Sequence, residues 1–297
     1  DSLRSRGLGD VYKRQAVLSG SVTIDASVSS QYISALALIG PYLKKGLTLT
    51  LKGNITSKPY IDMTLSLLSQ IGVAHTFKGQ EIRILPLKKS NKVKIAVEGD
   101  WSSASYFYSL VALSKNQSVH LSCFKTTSLQ ADAALVSMYK KLGVTTTAID
   151  SQTIALTKNN ILLPSVFKAD LTPSPDLAQT IAVTCFGLGI ACHLTGLHTL
   201  KIKETDRLVA LQNELTKLGA QVKVTQNSLL LEPHKIASKN RDLGIEIATY
   251  KDHRMAMAFG VLAELFCITI QDPMVVTKSY PNFYSDLKKV GIRADFC

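Results

Sequence analysis

The chain has 297 residues, of which 46% are hydrophobic and 19% are charged, so its composition excludes a disordered protein and allows a large buried core. With 34 lysines and arginines against 22 aspartates and glutamates, its net charge is +12, which favours anionic partners. The basic residues are dispersed or stand in pairs, and this distribution argues against a nucleic-acid-binding protein.

Three features of the sequence indicate the cellular compartment: the cysteines, the most apolar segment and the N-terminal residues. The five cysteines form no CxxC pair, which predicts reduced thiols in a cytoplasmic protein and neither a disulfide framework nor a zinc site. Residues 180–194 are strongly apolar but too few to span a membrane, so we predict a buried helix there. Residues 1–15 are basic without an apolar core, and we interpret them as a leader foreign to the fold and not as a secretory signal.

Four helix endings of the same kind recur along the chain at nearly equal intervals. Each consists of an aliphatic residue, a glycine and a small or branched residue, as in Leu218-Gly219-Ala220. This pattern predicts a helix that ends at the glycine and is followed by a strand. The recurrence indicates an internal repeat, marked by Gly72, Gly143, Gly219 and Gly291.

Each repeat also begins alike, with an apolar helix that follows a capping residue. These helices are predicted to start near Ser30, Ser103, Asp176 and His253. A short alternating strand follows, clearest in residues 47–52 and 119–123. An amphipathic helix and two short strands, such as residues 73–77 and 81–85, complete the unit.

The order helix, strand, helix, strand, strand predicts an α+β fold. The first helices, such as residues 33–43 and 181–194, are apolar on nearly every side, and a helix of that type belongs inside a domain. We therefore expect the units to cluster around buried first helices instead of stacking as an open solenoid.

Polar residues that a core cannot explain collect at two kinds of junction, the entrances of the first helices and the turns before the second helices. The densest is Lys203-Glu-Thr-Asp-Arg207, with two bases and two acids directly before an amphipathic helix. Taken alone, each junction is explained as well by a helix cap with solvated charges. If the units pack around a shared axis, the junctions meet at one end, where helix N-termini favour anions. Their joint occurrence therefore predicts an anion-binding site.

The junction motifs, in this order, resemble those of the 5-enolpyruvylshikimate-3-phosphate synthase family. The resemblance runs from about residue 16 to the C-terminus and rests on seven motifs at compatible spacing. They are Ser27-Val-Ser-Ser-Gln31, Ser57-Lys-Pro-Tyr-Ile-Asp62, Val97-Glu-Gly-Asp100 with Ser102-Ser-Ala-Ser-Tyr106, Pro175-Asp176, Lys203-Glu-Thr-Asp-Arg207, Thr249-Tyr-Lys-Asp-His-Arg-Met-Ala-Met257, and Asp272-Pro273 with Thr277-Lys278.

The resemblance implies a fold of two globes, each built from three repeats with buried helices. Residues 16–97 would be the last repeat of a partial N-terminal globe, and residues 98–297 a nearly complete C-terminal globe of three repeats. Part of the family's anion site would then lie outside this chain. On that ground we expect little turnover from the chain by itself.

The family's activity is the transfer of the enolpyruvyl group of phosphoenolpyruvate to the 5-hydroxyl of shikimate-3-phosphate, with release of phosphate, in chorismate and aromatic amino acid biosynthesis. The resemblance implies that Asp176 takes the hydroxyl proton, Glu204 protonates the methylene carbon and Lys203 bridges the reacting groups. It implies no cofactor, no metal and a monomer. The residues it implies for substrate binding are Ser29, Ser30, Gln31, Ser57, Tyr60, Thr199, Arg207, His253, Arg254 and Lys278.

Two features of this assignment are unusual. Thr199 stands where many family members have asparagine, which weakens one expected contact. Glu204 lies between Lys203 and Arg207, and neighbouring cations ordinarily lower the pKa of a carboxyl, so an acid at this position requires burial or a second carboxylate.

Alternative functions come from two classes. A UDP-N-acetylglucosamine enolpyruvyl transferase shares the architecture and the donor phosphoenolpyruvate. The sequences of residues 252–257 and 57–60 are of the shikimate type and argue against it. An RNA-end-binding protein could combine a similar repeat fold with the positive charge, and a folded but inactive remnant is a further reading.

Overall fold

The computed structural model describes residues 20–89, 92–115, 117–234 and 244–296. The prediction of a foreign leader at residues 1–15 lies outside these ranges. The chain divides into two compact units, residues 1–95 and residues 96–297. Helices and strands occur in both units, which confirms the α+β class.

The described residues of the first unit form one four-stranded sheet, two α-helices and a 3-10 helix at Gly40–Tyr42. Its elements are β1 (Gly20–Asp25), α1 (Ser30–Ile39), β2 (Leu47–Lys52), α2 (Lys58–Gln70), β3 (His75–Lys78) and β4 (Glu81–Ile84). Strand β2 lies parallel to β1 on one side and antiparallel to β4 on the other, in the order β1, β2, β4, β3. The alternating leucines of β2 face the helices and are buried, as the period of two in the sequence predicts.

The second unit contains three sheets, of four, three and two strands, and six α-helices among its described residues. The elements of its first half are α3 (Trp101–Leu113), β5 (Ser118–Ser122), α4 (Leu135–Lys140), β6 (Val144–Ala148), β7 (Thr153–Lys158), β8 (Val166–Asp170) and α5 (Ala178–Leu188). Those of its second half are β9 (Ala191–Thr195), α6 (Arg207–Lys217), β10 (Val222–Val224), β11 (Ser228–Leu231), β12 (Ile245–Ile247), α7 (His253–Gly260), β13 (Ile268–Ile270) and α8 (Phe283–Lys289). Short 3-10 helices at Ala131–Ala134, Pro175–Leu177, His198–Ile202 and Pro273–Lys278 connect them.

The repeat is longer than the sequence pattern predicts. A strand precedes the first helix of the unit and lies parallel to the strand between the two helices, as in the pairs β1 with β2, β8 with β9, and β12 with β13. These leading strands have six, five and three residues and bury at most one side chain each, so their hydrophobic alternation is weaker than that of the central strands.

The helix predicted at residues 181–194 ends earlier than expected. Helix α5 stops at Leu188, and Gly189 adopts a left-handed backbone with φ of 71°. The remaining apolar residues form the central strand β9 instead. A continuous apolar run fits a buried strand as well as a buried helix, so hydrophobicity alone could not separate the two. The four repeat-ending glycines do lie where predicted, with φ values of 98°, 84°, 92° and 95° for Gly72, Gly143, Gly219 and Gly291.

The buried first helices are confirmed in the second unit, where α3 and α5 lie inside one continuous hydrophobic cluster. This packing excludes an open solenoid for the unit. Helix α1 of the first unit differs, because Tyr32, Leu38 and Ile39 on its outer side are more than half exposed. None of the helices in the described part of the chain is both long and apolar enough to cross a membrane.

Helices α3 and α5 contact one another through hydroxyl groups as well as apolar side chains. Ser105 lies 3.0 Å from Thr180, and one turn further along, Thr184 donates a 2.7 Å hydrogen bond to Ser109. Because Ser105 and Ser109 are four residues apart, as are Thr180 and Thr184, the pairs repeat at the helical period. They form a polar seam within the core.

Candidate functional site

The predicted site residues of the second unit follow the carboxyl ends of its parallel strands. Asp176 follows β8, and the Lys203–Arg207 motif follows β9. The segment that opens α7 follows β12, and Lys278 closes the 3-10 helix after β13. The carboxyl ends of two parallel strands lie at the same edge of a sheet, and helices that start there point their positive ends toward it. The fold thus gathers four distant junctions at one location.

Arg207 is the centre of this cluster. Although it is charged, its side chain is only 2% exposed. Its Nε donates to Asp252 at 2.6 Å, its Nη1 to Asp176 at 2.8 Å and its Nη2 to Glu204 at 2.7 Å. One guanidinium therefore holds three carboxylates that come from three different junctions, which is the geometry that a planar fork of donors permits.

Asp176 also contacts two further cations. The Nζ of Lys203 lies 3.6 Å from its Oδ1, and Nη2 of Arg254 lies 3.5 Å from its Oδ2. Burial tends to raise the pKa of this carboxyl, but the charges of Arg254, Arg207 and Lys203 lower it to about 2. Asp176 is therefore ionised at neutral pH.

Glu204 lies on the other side of Arg207. Besides Arg207 it contacts the Nζ of Lys278, and the Nδ1 of His253 is 4.0 Å away. Burial tends to raise the pKa of Glu204, but the hydrogen bond from Lys278 and the charge of Arg207 lower it to about 2. The proton that an acid at this position needs is therefore absent in this arrangement, as the flanking bases in the sequence indicated.

The cations differ in how far they can reach a ligand. The exposed fraction of the side chain is 56% for Lys278, 25% for Lys203 and 16% for Arg254, against 2% for Arg207. The first three can turn toward an anion in solution. Arg207 can contact one only if it releases a carboxylate, so its predicted contact with phosphoenolpyruvate stays a prediction.

His253 begins helix α7 and is almost completely buried. Its Nδ1 has no hydrogen-bond partner among the described residues. Burial and the neighbouring charge of Arg254 lower the pKa of the imidazole, against the opposing effect of Asp252 and Glu204. A neutral ring with an unpaired nitrogen is suited to a hydrogen bond from or to a ligand.

Asp252 was not among the predicted site residues. In sequence it reads as the N-cap of α7, and it does accept the backbone N–H of Arg254 at 2.8 Å. The same carboxylate is fully buried and pairs with Arg207. No local pattern could reveal that second contact, because its partner lies on another repeat.

The turn before Asp252 is strained and is held by a buried carboxylate. Tyr250 and Lys251 have positive φ values of 54° and 56°, which are unfavourable for residues with a side chain. Glu214 of α6, which is fully buried, accepts hydrogen bonds from the hydroxyl of Tyr250 at 2.7 Å and the backbone N–H of Ala248 at 3.1 Å. Glu214 therefore compensates for the strain and sets the direction of the segment.

Thr199 lies in the 3-10 helix before the Lys203–Arg207 motif. It is buried, and its Oγ1 makes no hydrogen bond to any described residue. Its predicted contact with the substrate stays a prediction. Within the described ranges, His, Cys, Asp and Glu side chains form no group that could hold a metal ion.

The remaining predicted residues belong to the first unit, where they surround the starts of α1 and α2. Ser29 caps α1 by accepting the backbone N–H of Gln31 at 3.2 Å, and Ser30 is buried. Ser57 precedes α2 in a left-handed conformation with φ of 54°, and its hydroxyl makes no capping bond. A hydrogen bond of 3.1 Å from the backbone of Thr56 to that of Ala26 holds the two junctions together. Tyr60 lies in the first turn of α2 and is half-buried.

Stability at low pH tests the electrostatics of the cluster. Asp176 and Glu204 have pKa values of about 2, below their ordinary values of 3.8 and 4.5, so each binds fewer protons in the folded than in the unfolded chain. Their stabilising contribution is complete above the ordinary pKa and is lost as the pH falls toward 2. We expect the free energy of unfolding, measured with urea, to fall over that range.

The Asp176→Asn variant is the informative comparison, because asparagine cannot titrate. It should be less stable than the unchanged chain at pH 7, and the difference should shrink as the pH approaches 2. Asp295→Asn serves as a control, since the Asp295 side chain is 69% exposed and pairs with Arg293 at the surface. A difference for Asp176→Asn that does not vary with pH would contradict the assignment.

Comparisons with known proteins identify relatives over almost the whole chain. The family profile described as EPSP synthase (3-phosphoshikimate 1-carboxyvinyltransferase) matches residues 11–287. A 3-phosphoshikimate 1-carboxyvinyltransferase of Bacteroides fragilis is 39% identical over 292 residues, which cover 97% of this chain and 70% of that protein. One of Shewanella baltica is 33% identical, over 96% of this chain and 68% of that protein.

Solved structures give the same fold. An EPSP synthase from Acinetobacter baumannii is similar with a TM-score of 0.69 at 21% identity, over 92% of this chain and 63% of that one. The enolpyruvyl transferase NikO from Streptomyces tendae is similar with a TM-score of 0.63 at 15% identity, over 91% of this chain and 64% of that one. The chain thus spans less than two thirds of these structures, and at such identities the likeness concerns the fold alone.

Proposed function

The chain belongs to the EPSP synthase (3-phosphoshikimate 1-carboxyvinyltransferase) family, and from that premise we propose that the cluster around Arg207 takes part in transferring the enolpyruvyl group of phosphoenolpyruvate to the 5-hydroxyl of shikimate-3-phosphate. The observation that carries the proposal is the pair of carboxylates, Asp176 and Glu204, held on one buried guanidinium and bordered by partly exposed cations. An addition and elimination at an enol phosphate requires a base, an acid and positive charge in one place.

The first step forms a bond between the 5-hydroxyl oxygen and the central carbon of phosphoenolpyruvate. The hydroxyl proton passes to Asp176, and a proton from Glu204 adds to the methylene carbon, which becomes a methyl group. In the second step the bond to the phosphate oxygen breaks, and the methyl group returns a proton to Glu204. Asp176 passes the hydroxyl proton to the departing phosphate, the phosphate leaves, and the enolpyruvyl double bond is restored on the new oxygen.

The low pKa values of both carboxyls must change for this chemistry to proceed. Lys278, Lys203 and Arg254 are partly exposed and now contact Asp176 or Glu204, so an anionic ligand competes with the carboxylates for them. When the phosphate and carboxylate of phosphoenolpyruvate take these cations, the interactions that lower both pKa values weaken. Glu204 then takes up the proton that it donates, and Asp176 becomes a stronger base.

Arg207 has a different part in this scheme. Because its donors already hold Asp176, Glu204 and Asp252, it keeps the base and the acid at a fixed separation. Lys203, which lies 3.6 Å from Asp176, would stabilise negative charge on the reacting oxygens. His253 would hydrogen-bond the donor through its unpaired Nδ1.

For the first unit we propose binding of the shikimate-3-phosphate phosphate and ring hydroxyls by Ser29, Ser30, Gln31 and Ser57, with Tyr60 lining the pocket. The positive ends of two helices suit a phosphate, and the Ser57 hydroxyl makes no capping bond. We further propose that the protein acts as a cytoplasmic monomer without a cofactor.

Calorimetry tests the substrates and the protonation of Glu204 together. Phosphoenolpyruvate is titrated into the protein with shikimate-3-phosphate present, in two buffers that differ in ionisation enthalpy. We expect binding with net proton uptake near neutral pH, because the ligand raises the pKa of Glu204. Phosphate release is measured in parallel, both for this chain and for the product of the complete reading frame that contains it.

Two variants separate the possible proton acceptors. Glu204→Gln should bind phosphoenolpyruvate without the uptake and should not release phosphate, whereas His253→Gln should retain the uptake. Absence of phosphate release from the complete product would refute the proposed function. Turnover of UDP-N-acetylglucosamine, or steeply salt-dependent RNA binding without a response to shikimate-3-phosphate, would support one of the alternatives.

A further inference from the structure

Asp132, a buried carboxylate with no role in the steps above, is connected to Arg254 through Ser102. Asp132 belongs to the short 3-10 helix Ala131–Ala134 and is only 1% exposed. An ionised carboxylate at such a site is costly unless a cation or several hydrogen bonds compensate for its charge. A nearby cation therefore lowers the cost of burying the charge of Asp132 and is itself stabilised by that charge.

The partner is reached through one hydroxyl. Ser102, in the first turn of α3, donates a hydrogen bond from its Oγ to the Oδ2 of Asp132. The Nη2 of Arg254 lies 3.4 Å from the same Oγ and 3.5 Å from the Oδ2 of Asp176. The Arg254 guanidinium is thus placed between a fixed hydroxyl on one side and the proposed base on the other.

Asp132 also acts on Arg254 through space. Burial tends to lower the pKa of the Arg254 guanidinium, and neighbouring groups raise it well above the ordinary value, with Asp132 among them after Asp176 and Tyr106. The buried carboxylate and the arginine are therefore electrostatic partners even though the contact passes through Ser102.

Two chain segments dock against one another and fix Asp132 relative to Ser102. The Oγ of Ser128 donates to Glu98 at 2.7 Å, and the side-chain amide of Gln130 donates to the carbonyl of Gly99 at 2.9 Å. The same side chain accepts the backbone N–H of Trp101 at 2.9 Å. These three hydrogen bonds join residues 98–101 to residues 128–130 and so place the segment that carries Asp132 next to Ser102.

We propose that Asp132 is a positioning residue that holds Arg254, through Ser102, in an orientation with a single 3.5 Å contact to Asp176, which leaves the rest of the guanidinium for an anion. Without the hydroxyl bridge, Arg254 has Asp176 as its nearest remaining carboxylate. It would then form a two-point pair with Asp176, which removes a cation from the ligand and keeps the base ionised and occupied. This role rests on the proposed function of Arg254 in binding phosphoenolpyruvate.

The first test needs no ligand. The side-chain 15N resonances of Arg254 and the rate of rotation of its guanidinium are measured by NMR in the full chain. Ser102→Ala should shift these signals and speed the rotation, and Ser102→Thr, which keeps a hydroxyl, should restore them. Ser103→Ala is the matched control in the same turn, because the Ser103 hydroxyl bonds to Asp100 at 2.8 Å and makes no hydrogen bond to Asp132 or Arg254.

The second test uses phosphoenolpyruvate with shikimate-3-phosphate present. Ser102→Ala should weaken its binding about ten-fold, the effect of one lost hydrogen bond to a charged group, while Ser102→Thr binds nearly as the unchanged chain. For Asp132→Asn, the direction of the change in affinity for phosphoenolpyruvate is the test. Removing a negative charge near a cation would by itself strengthen anion binding, whereas loss of positioning weakens it.

The outcomes separate this inference from the proposed function. Unchanged Arg254 signals in Ser102→Ala, or tighter phosphoenolpyruvate binding by Asp132→Asn, would overturn the positioning role. If the unchanged chain and the product of the complete reading frame both fail to bind phosphoenolpyruvate, the proposed function fails. The NMR measurement then still decides whether Ser102 and Asp132 orient Arg254.

Discussion

Replacing Arg207 with methionine is expected to destabilise the second unit by about 3–5 kcal/mol, because it leaves three carboxylates close together without their shared cation. The side chain is 2% exposed, and water cannot replace a guanidinium at that depth without opening the cluster. Methionine keeps the length and apolar character of the stem, so the loss measures the charge and its hydrogen bonds. The measurement is the free energy of unfolding from urea titration at pH 7.

Two comparisons make that result specific. Arg293→Met removes an arginine whose side chain is 89% exposed and pairs with Asp295, and its effect should stay below about 1 kcal/mol. The loss in Arg207→Met should also decrease as the pH falls, since Asp176 and Glu204 no longer repel one another once they are protonated. Equal stability of the two variants at pH 7 would show that Arg207 is not the centre of the cluster.

Replacing Lys203 with methionine is expected to lower turnover of phosphoenolpyruvate and shikimate-3-phosphate by about 10²-fold or more while the fold remains intact. Its Nζ lies 3.6 Å from Asp176, where charge develops during addition, and a cation aimed at developing charge supplies an effect of this size. The side chain is 25% exposed and is not required for packing. The measurement is the rate of phosphate release by the product of the complete reading frame, with circular dichroism to verify the fold.

The control for this variant lies two residues away. Lys201 bonds to Gln226 at 2.8 Å and lies 3.9 Å from Asp206, outside the carboxylate cluster. Lys201→Met should change turnover by no more than a few-fold. Lys203 would be excluded from the mechanism if Lys203→Met released phosphate as fast as Lys201→Met.

Much of the fold was accessible from sequence because glycine and hydrophobic periodicity act locally. Gly72, Gly143, Gly219 and Gly291 mark helix ends that require a left-handed backbone, and residues 47–52 show the alternation of a half-buried strand. The leading strands β1, β8 and β12 were missed, because pairing with a neighbour, not hydrophobicity, makes them strands. The division at residues 191–195 between helix and strand depended on Gly189, whose role as a helix end was masked by the apolar residues on both sides.

The residues of the candidate site likewise divide into those that local sequence could predict and those that it could not. Asp176, Glu204, Arg207 and Lys278 could be named because each stands in a polar motif at a helix entrance, and the structure brings them together. Asp252, Glu214 and Asp132 could not, because each acts through a partner 30 or more positions away in sequence. The sequence around a single buried carboxylate contains no pattern that indicates a distant partner.

The paired hydroxyls between α3 and α5 have a consequence for how the site can respond to a ligand. Apolar contacts between neighbouring helices have little directional preference, whereas a hydrogen bond is strong only over a narrow range of distance and angle. Here a slide would separate Ser105 from Thr180 and Ser109 from Thr184 at once and break both contacts between hydroxyls in a dry interior. Helix α3 carries Ser102, and helix α5 continues directly from Asp176. The hydrogen bonds between the two helices therefore favour one register, and with it one spacing between Ser102 and Asp176.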